Sequence, residues 1–459
     1  MSGRDAGGLG KARTAGALPA EQGTATVILL IPNVDDDDLA AIVENLEFPN
    51  QVLVISNSPF VARHKETGFP FIRDSCSDAR ALIAKIVAWK EKNRRSFAGI
   101  IGLDEEYHYA LSRAIADAFS LPYHSKETLD RASNKYLQRL ALEKAGVRIP
   151  WFQLIDQETD VHGLAYPNVL KLITGYASLY VFMNRDASEL ERHRTYIQKT
   201  IAKRKYIALA HQAEHEGTAT SYDPAEQYIV EEYLPGTEYS CDFMVEKDGA
   251  VHVLRVVKKF PRQELGFFEA KLLFNPDAVQ GEFKLRELEG VCTKIARTMN
   301  VAFGVCMLDF MLCKGEIVVV ETTVRPGVSS FIALMGALYH DTSINKAVRQ
   351  RLGMPVDTTI PNEAGLAVYL YAPHTGRIAA FDTRKLEEHQ KKLGIISISK
   401  YYMVGERIRK YGRYDHFMLM AGLVLMRGVE PSQAGQLIET VKRHTRIVME
   451  DASAPARCH

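Results

Sequence analysis

Three short apolar runs, ATVILLI at 25–31, QVLVIS at 51–56 and AGIIGL at 98–103, alternate with stretches of helical period near 37–46, 78–93 and 107–119. That alternation constrains the fold more than any other feature. Strands that are apolar throughout are covered on both faces, and a helix between consecutive strands makes the pairing parallel. The first part of the chain, 25–125, is therefore expected to form a parallel α/β domain. The residues before it, 1–24, are rich in Gly, Ala and polar side chains and read as a disordered tail. Their GGLGK resembles a phosphate loop, but Asp5 stands at the required first glycine and Ala12 at the Ser/Thr position, so the match fails.

A helical stretch, NKYLQRLALEKAG, ends at Gly146 with Pro150 beyond it. It opens a second domain, 126–355, in which short strands dominate from 168 to 259: NVLKLI, YVFMN, QYIVEEYL, TEYSCDFMVE and VHVLRVVKKF. A helix near 281–299 then leads into GVCMLDFML, CKG and EIVVVE, which read as a hairpin. From LAVYLYAP onward the chain is β-rich with one late helix near 431–445, and 356–459 is expected to form a third domain. The fold class is thus α/β and α+β.

Composition excludes several functions. Lys and Arg total 57 against 56 Asp and Glu, so no strong net field draws the chain to nucleic acid or to anionic lipid. The longest apolar run, FMLMAGLVLM, is about half a membrane span. The six cysteines, at 76, 241, 292, 306, 313 and 458, show no CxxC and no zinc spacing, and read as reduced thiols of a cytoplasmic protein. HQAEH at 211–215 lacks the HExxH order of a zinc protease, and the acidic run at 35–38 suits the first turn of a helix. Glu105 and Glu106 follow a strand end of the α/β domain, where ligands gather.

The chemistry concentrates on the hairpin. With a three-residue turn, Cys313 to Gly315, residue 312 would pair with 316 and 309 with 319. Glu321 would then lie diagonal to Asp309 on one face, roughly 7 Å away, close enough to share divalent cations. Thr323 faces the same way, and hard oxygen ligands on few carboxylates favour Mg²⁺. The competing reading has Asp309 solvated and Glu321 paired with Arg325.

Upstream, Lys171 ends an apolar strand ahead of LITGYASLY. A cation at the mouth of a small-residue loop suits a polyphosphate, with backbone N–H groups and Ser178 on its oxygens. After the strand at 228–233, Pro235-Gly236 and Glu238 follow. Main-chain edges there could read an adenine, and the carboxylate could take two ribose hydroxyls.

Taken in order, SNKYLQRLALEKAGVRIP, VLKLITGYASLYV, IVEEYLPGTEYSCDFMV and LDFMLCKGEIVVVETTVRPG resemble the ATP-grasp superfamily, in particular its carboxylate–amine ligases related to L-amino-acid ligases. The resemblance implies an ATP-grasp fold with an N-terminal parallel α/β domain and a C-terminal β-rich domain. It implies ATP and Mg²⁺ as cofactors, two ions for which Mn²⁺ could substitute. Lys135, Lys171 and Ser178 would hold phosphates under a lid at 174–180. Glu231, Glu232, Tyr233 and Leu234 would form the adenine hinge, with Glu238 on the ribose. Asp309, Glu321 and Thr323 would bind metal, and Arg325 would hold an acyl phosphate as the catalytic group. Glu269, Arg325 and Gly327 would meet the substrates, a small-molecule carboxylate and an amine. Family members usually carry Asn in place of Thr323 and often Pro in place of Leu172. The amino-acid ligases carry His in place of Leu272, three residues after Glu269. A biotin-carboxylase-like or carrier-protein-loading enzyme on the same ATP site, and a non-catalytic ATP-binding regulatory module, stay open as alternatives, as do a homodimer and a carrier-protein partner.

Overall fold

The computed structural model describes residues 25–31, 36–58, 69–103, 105–175, 179–201, 211–215, 218–262, 267–410, 414 and 416–450. The tail at 1–24, with its GGLGK, lies outside them, as does Ser178. Strands β1 (Ala25–Leu30), β2 (Val52–Ser56), β3 (Phe71–Arg73) and β4 (Ser96–Gly102) form a parallel sheet in the order β3-β2-β1-β4. Helix α1 (Asp36–Glu44) follows β1, α2 (Ala79–Asn93) lies between β3 and β4, and α3 (Glu105–Ala118) follows β4. Val27 and Leu29 join a core with Leu39 and Ile42 of α1, whereas Ile28 and Leu30 join one with Leu82, Ile86, Leu111 and Ile115. Successive side chains thus serve opposite faces, which is why β1 is apolar without a break from Val27 to Leu30.

Helices α4 (Lys126–Ser133) and α5 (Lys135–Lys144) follow, capped by Ser125 and Asn134; the Asn134 side chain accepts from the N–H groups of Tyr136 and Leu137. A small antiparallel sheet comes next, β5 (Phe152–Ile155), β6 (Asn168–Leu172), β7 (Phe182–Asn184) and, after the hairpin β8 (His211–His215) and β9 (Thr218–Tyr222), β10 (Tyr228–Glu232), in the order β5-β10-β6-β7. Helix α6 (Ala187–Ile201) covers it through Leu190 and Ile197.

The main sheet has eight strands. β11 (Thr237–Val245), β12 (Val251–Arg262), β13 (Phe267–Phe274), β14 (Gly304–Cys313) and β15 (Glu316–Thr323) are joined by β16 (Gly365–Tyr371), β18 (Ile395–Lys400) and β20 (Met420–Arg427) in the order β15-β14-β11-β12-β13-β16-β20-β18. β17 (Gly376–Asp382), β19 (Arg407–Ile408) and β21 (Arg446–Met449) make a separate three-stranded sheet. The boundary read from the sequence at 355/356 falls inside this continuous structure, because β16 pairs with β13, Ala270 opposite Val368.

One face of the large sheet packs on α7 (Leu285–Thr298) and α11 (Ala434–His444). The other packs on α1, α8 (Phe331–Tyr339) and α9 (Ser343–Arg351). Among the described residues the α-helix between α9 and α11 in the chain is the short α10 (Arg384–Glu388). Asn345 of α9 donates to the Asn45 carbonyl at 2.7 Å and accepts from the Glu47 N–H at 3.1 Å, which ties the N-terminal layer to the sheet. Among the described residues no helix is long and apolar enough to cross a membrane.

Candidate active site

The hairpin that carries both carboxylates differs from the expected one in a way that strengthens it. Cys313 pairs with Glu316, so the turn is the two residues Lys314 and Gly315, with φ of 51° and 83°. Two left-handed residues are the signature of a tight hairpin turn. Without correction that turn would put Asp309 and Glu321 on opposite faces. A bulge restores them: Phe310 pairs with Val319 and Asp309 with Glu321, leaving Val320 as the extra residue. The two carboxylates are therefore direct cross-strand partners, not diagonal ones.

Helix α5 holds this irregular edge. β15 is an edge strand of the large sheet, and Gln138 pairs with both backbone groups of Thr322, accepting at 2.9 Å and donating at 2.8 Å. Arg139, fully buried, donates to the Val320 carbonyl, the group that the bulge leaves outside the ladder. Lys135 donates to Glu321 Oε1 at 2.6 Å and to the Gly175 carbonyl at 2.8 Å. One helix thus aims the carboxylate and supplies a cation beside it.

Arg139 also reaches Glu231 Oε1 at 2.7 Å, and Lys171 takes Glu231 Oε2 at 2.5 Å. Burial works to raise the Glu231 carboxyl, but the two cations outweigh it and the net shift is downward. On the neighbouring strands, Lys259 bridges Glu238 Oε1 at 2.7 Å and Asp309 Oδ1 at 2.9 Å. Burial pulls its ammonium down, yet those carboxylates more than compensate and hold it above the ordinary lysine value. Opposite Lys259 in the register stands Lys271, whose ammonium meets the Ser329 hydroxyl at 2.6 Å and the rings of Phe331 and Tyr369 at 5.6 Å. Ser330 spends its hydroxyl on Tyr369 at 2.7 Å, so neither serine side chain caps α8.

His124 closes the other side of this region, in a backbone hydrogen bond with Val324 just before Arg325. Burial, then the charge of Arg351, pushes its imidazole down to about 3. An unfolded chain protonates this histidine below about pH 6.5 while the folded one does not until about pH 3, so the folded state loses stability as pH falls through that window. Denaturation midpoints measured from pH 7 to pH 4 should fall less steeply in His124→Gln than in the wild type.

The family model of an ATP-grasp domain matches residues 164–329. The chain carries an ATP-grasp domain. Its fold is similar to the L-amino acid ligase of Bacillus licheniformis at TM-score 0.68, with 16% identity, covering 93% of this chain and 99% of that one. N5-carboxyaminoimidazole synthetase of Staphylococcus aureus, in complex with ADP, is similar at 0.61, with 13% identity over 91% and 96% of the two chains. Biotin carboxylase of Campylobacter jejuni, in an ATP-analogue complex, is similar at 0.62, with 14% identity over 92% of each. The uncharacterised protein y4rH of Sinorhizobium fredii is 27% identical over 151 residues, which are 32% of this chain and 28% of that protein, so the match spans less than a third of that relative.

Several of the expected site residues are engaged within the protein itself. Glu231 is sealed by Arg139 and Lys171, and its main chain lies within the sheet, because β10 is paired on both edges, with β5 and with β6. The N–H of Glu232 donates to the Trp151 carbonyl at 2.8 Å. The Tyr233 N–H is engaged as well, donating to the Pro167 carbonyl at 3.4 Å, which puts the next main-chain edge at Leu234. Glu269 sits where a register shift interrupts the β12–β13 ladder and meets Lys442 of α11 at 3.1 Å, on the face away from Lys271. The Gly327 N–H is taken by Asp242 Oδ1 at 3.0 Å. The alternative pairing of Glu321 with Arg325 does not occur either: Glu321 takes Lys135, and Arg325 donates to the Pro326 carbonyl at 3.1 Å.

Lys259 and Lys271 were not singled out from the sequence. The signal that could have found them is alternation, since 255, 257 and 259 share the face of Asp309 and Glu321, and 271 joins it across β12 and β13.

Proposed function

We propose that this protein is an ATP-dependent carboxylate–amine ligase, which transfers the γ-phosphoryl group of ATP to a carboxylate and lets an amine displace phosphate to form an amide. The observation that carries this reading is the directly opposed Asp309–Glu321 pair, with Lys135 and Lys259 against it and Arg325 four residues further along the same segment. A carboxylate anion is not attacked by an amine at neutral pH until an oxygen becomes a leaving group, which phosphorylation achieves.

The donor set fits Mg²⁺ that arrives with a nucleotide. Among the described residues no group of three or more His, Cys, Asp or Glu could hold a metal alone. Two hard carboxylates and the buried Thr323 hydroxyl, which has no hydrogen-bond partner, suit ions that take their remaining ligands from phosphate and water. Asp309, Glu321 and Thr323 would hold such ions, two in number, and Mg²⁺ when bound offsets charge on the phosphate oxygens.

Lys135 and Lys171 face the β- and γ-phosphates, exchanging their present carboxylate partners for phosphate oxygens. The segment Tyr233–Leu234 reads adenine through its main chain, and Glu238 takes the ribose. Arg325, Lys271 and the open N-terminus of α8 converge on the acyl phosphate and on the oxyanion formed when the amine attacks. The substrates are a small carboxylic acid and an amine, amino acids among them, in the cytoplasm where ATP is supplied. Glu269, turned towards Lys442, is not the group that recognises the amine.

Substrate carrying ¹⁸O in its carboxylate tests the reading, because the amide retains one oxygen and the other leaves with phosphate. Labelled inorganic phosphate together with ADP is the expected outcome once a panel of acids and amines has identified a productive pair. Unlabelled phosphate, or AMP with pyrophosphate, would defeat the acyl-phosphate route.

A further inference from the structure

An ion pair lies sealed inside the sheet directly beneath the Arg325 segment. Asp242 on β11 and Arg255 on β12 are cross-strand partners, and both are wholly excluded from solvent. Arg255 Nε and Nη2 donate to the two carboxylate oxygens, each at 2.8 Å, and Nη1 donates to Ser240 Oγ at 3.0 Å. The guanidinium carbon sits over the ring of Phe331, the first residue of α8, 3.6 Å from its centre. Asp242 Oδ1 also accepts the Gly327 N–H. A Cβ at position 327 would run into the Arg255 guanidinium, and would meet Asp242 and the Phe331 ring at 2.9 Å, so only glycine brings the chain this close.

A buried pair of this kind is a poor way to gain stability. Desolvating two charges costs about as much as their attraction returns, and apolar residues of similar size often do as well or better. This pair does something an apolar pair could not. A single carboxylate grips the backbone two residues after Arg325, and a single guanidinium supports the first turn of α8, where Ser329 meets Lys271. The Arg325 segment and the α8 N-terminus are thereby held to one rigid point of the sheet.

We propose that Asp242 and Arg255 are positioning residues for phosphate and acyl-phosphate binding: together they fix Arg325 relative to the N-terminus of α8. The assignment rests on the ligase reading above. Neither residue touches the substrate, and their effect passes through Gly327 and Phe331.

The test needs no knowledge of the substrates, since its probe is inorganic phosphate binding to the Mg-ADP complex, measured by calorimetry alongside the affinity for Mg-ADP itself. The double variant Asp242→Leu/Arg255→Met removes both charges and the acceptor for Gly327. It should unfold within a few degrees of the wild type, bind Mg-ADP within twofold of it, and bind phosphate at least tenfold more weakly. Asp242→Asn keeps an oxygen for Gly327 but leaves Arg255 charged and unpaired. It should melt several degrees lower and yet lose only two- to threefold in phosphate affinity.

A purely structural pair predicts the opposite order, with phosphate affinity following melting temperature. Phosphate binding that weakens no more in the double variant than in Asp242→Asn overturns the proposal, as does a double variant that cannot fold. A wild-type Mg-ADP complex that takes up no phosphate also overturns it. ADP-forming turnover of the same wild-type protein then decides whether the ligase reading falls as well.

Discussion

Glu321→Gln should abolish ligation while leaving the fold in place. The substitution preserves shape and volume and removes one of two carboxylate charges that face each other across the β14–β15 hairpin. Lys135, which donates to Glu321 Oε1, can still donate to the amide oxygen, and the site is partly open to solvent, so the folded state loses little. The reaction loses much more, because charge develops on the transferring phosphoryl group where the missing carboxylate would have anchored its counter-ion. Removing one such contact typically costs about 10²- to 10³-fold in turnover. ADP release in a coupled assay, run beside a thermal melt, separates the two effects. Half-maximal activity should also need more Mg²⁺. A variant that keeps more than a tenth of wild-type turnover would remove Glu321 from the site.

Arg139→Leu should damage both stability and catalysis, and for one reason. Arg139 is fully buried, pairs with Glu231 and donates to the Val320 carbonyl, so Leu leaves a buried carboxylate with Lys171 as its one remaining ion-pair partner and a bulge carbonyl without its donor. Breaking a buried pair on one side costs about 3–5 kcal/mol. Urea denaturation should register a loss of that size. Activity of the folded fraction should fall too, since the bulge that brings Glu321 opposite Asp309 loses the contact that satisfies it. Arg139→Lys keeps the charge facing Glu231 but offers one head to two acceptors, and should recover most of the stability and only part of the turnover. Full activity in Arg139→Leu would mean that the bulge is set by the strands alone.

The parallel opening domain was legible because its cause is local. A strand covered on both faces carries apolar residues on both, and the run VILLI at 27–31 states this within five residues. The elements around Lys171, Glu238 and Asp309–Glu321 were legible for a similar reason, each being a short strand followed by turn residues that can be read from neighbours in the chain, whereas Lys135 was named only through the resemblance of the ordered motifs. Both carboxylates of the candidate metal site were likewise named from their spacing on a hairpin.

Their alignment was not legible. The turn has two residues instead of three, which by strand period alone would have separated Asp309 from Glu321, and the extra residue at Val320 reverses the outcome. What holds that residue is Arg139, 181 positions earlier in the chain. Separation in sequence likewise hid the partners of Lys259, the turn of Glu269 towards Lys442, the engagement of Gly327 by Asp242, and the pairing of β13 with β16 across 355/356. Period and turn chemistry act over a few residues, so local pattern alone could indicate which elements form and which side chains could do chemistry. Register shifts of one residue and the partners of buried charges depend on groups brought together only by packing, and those the tertiary structure decided.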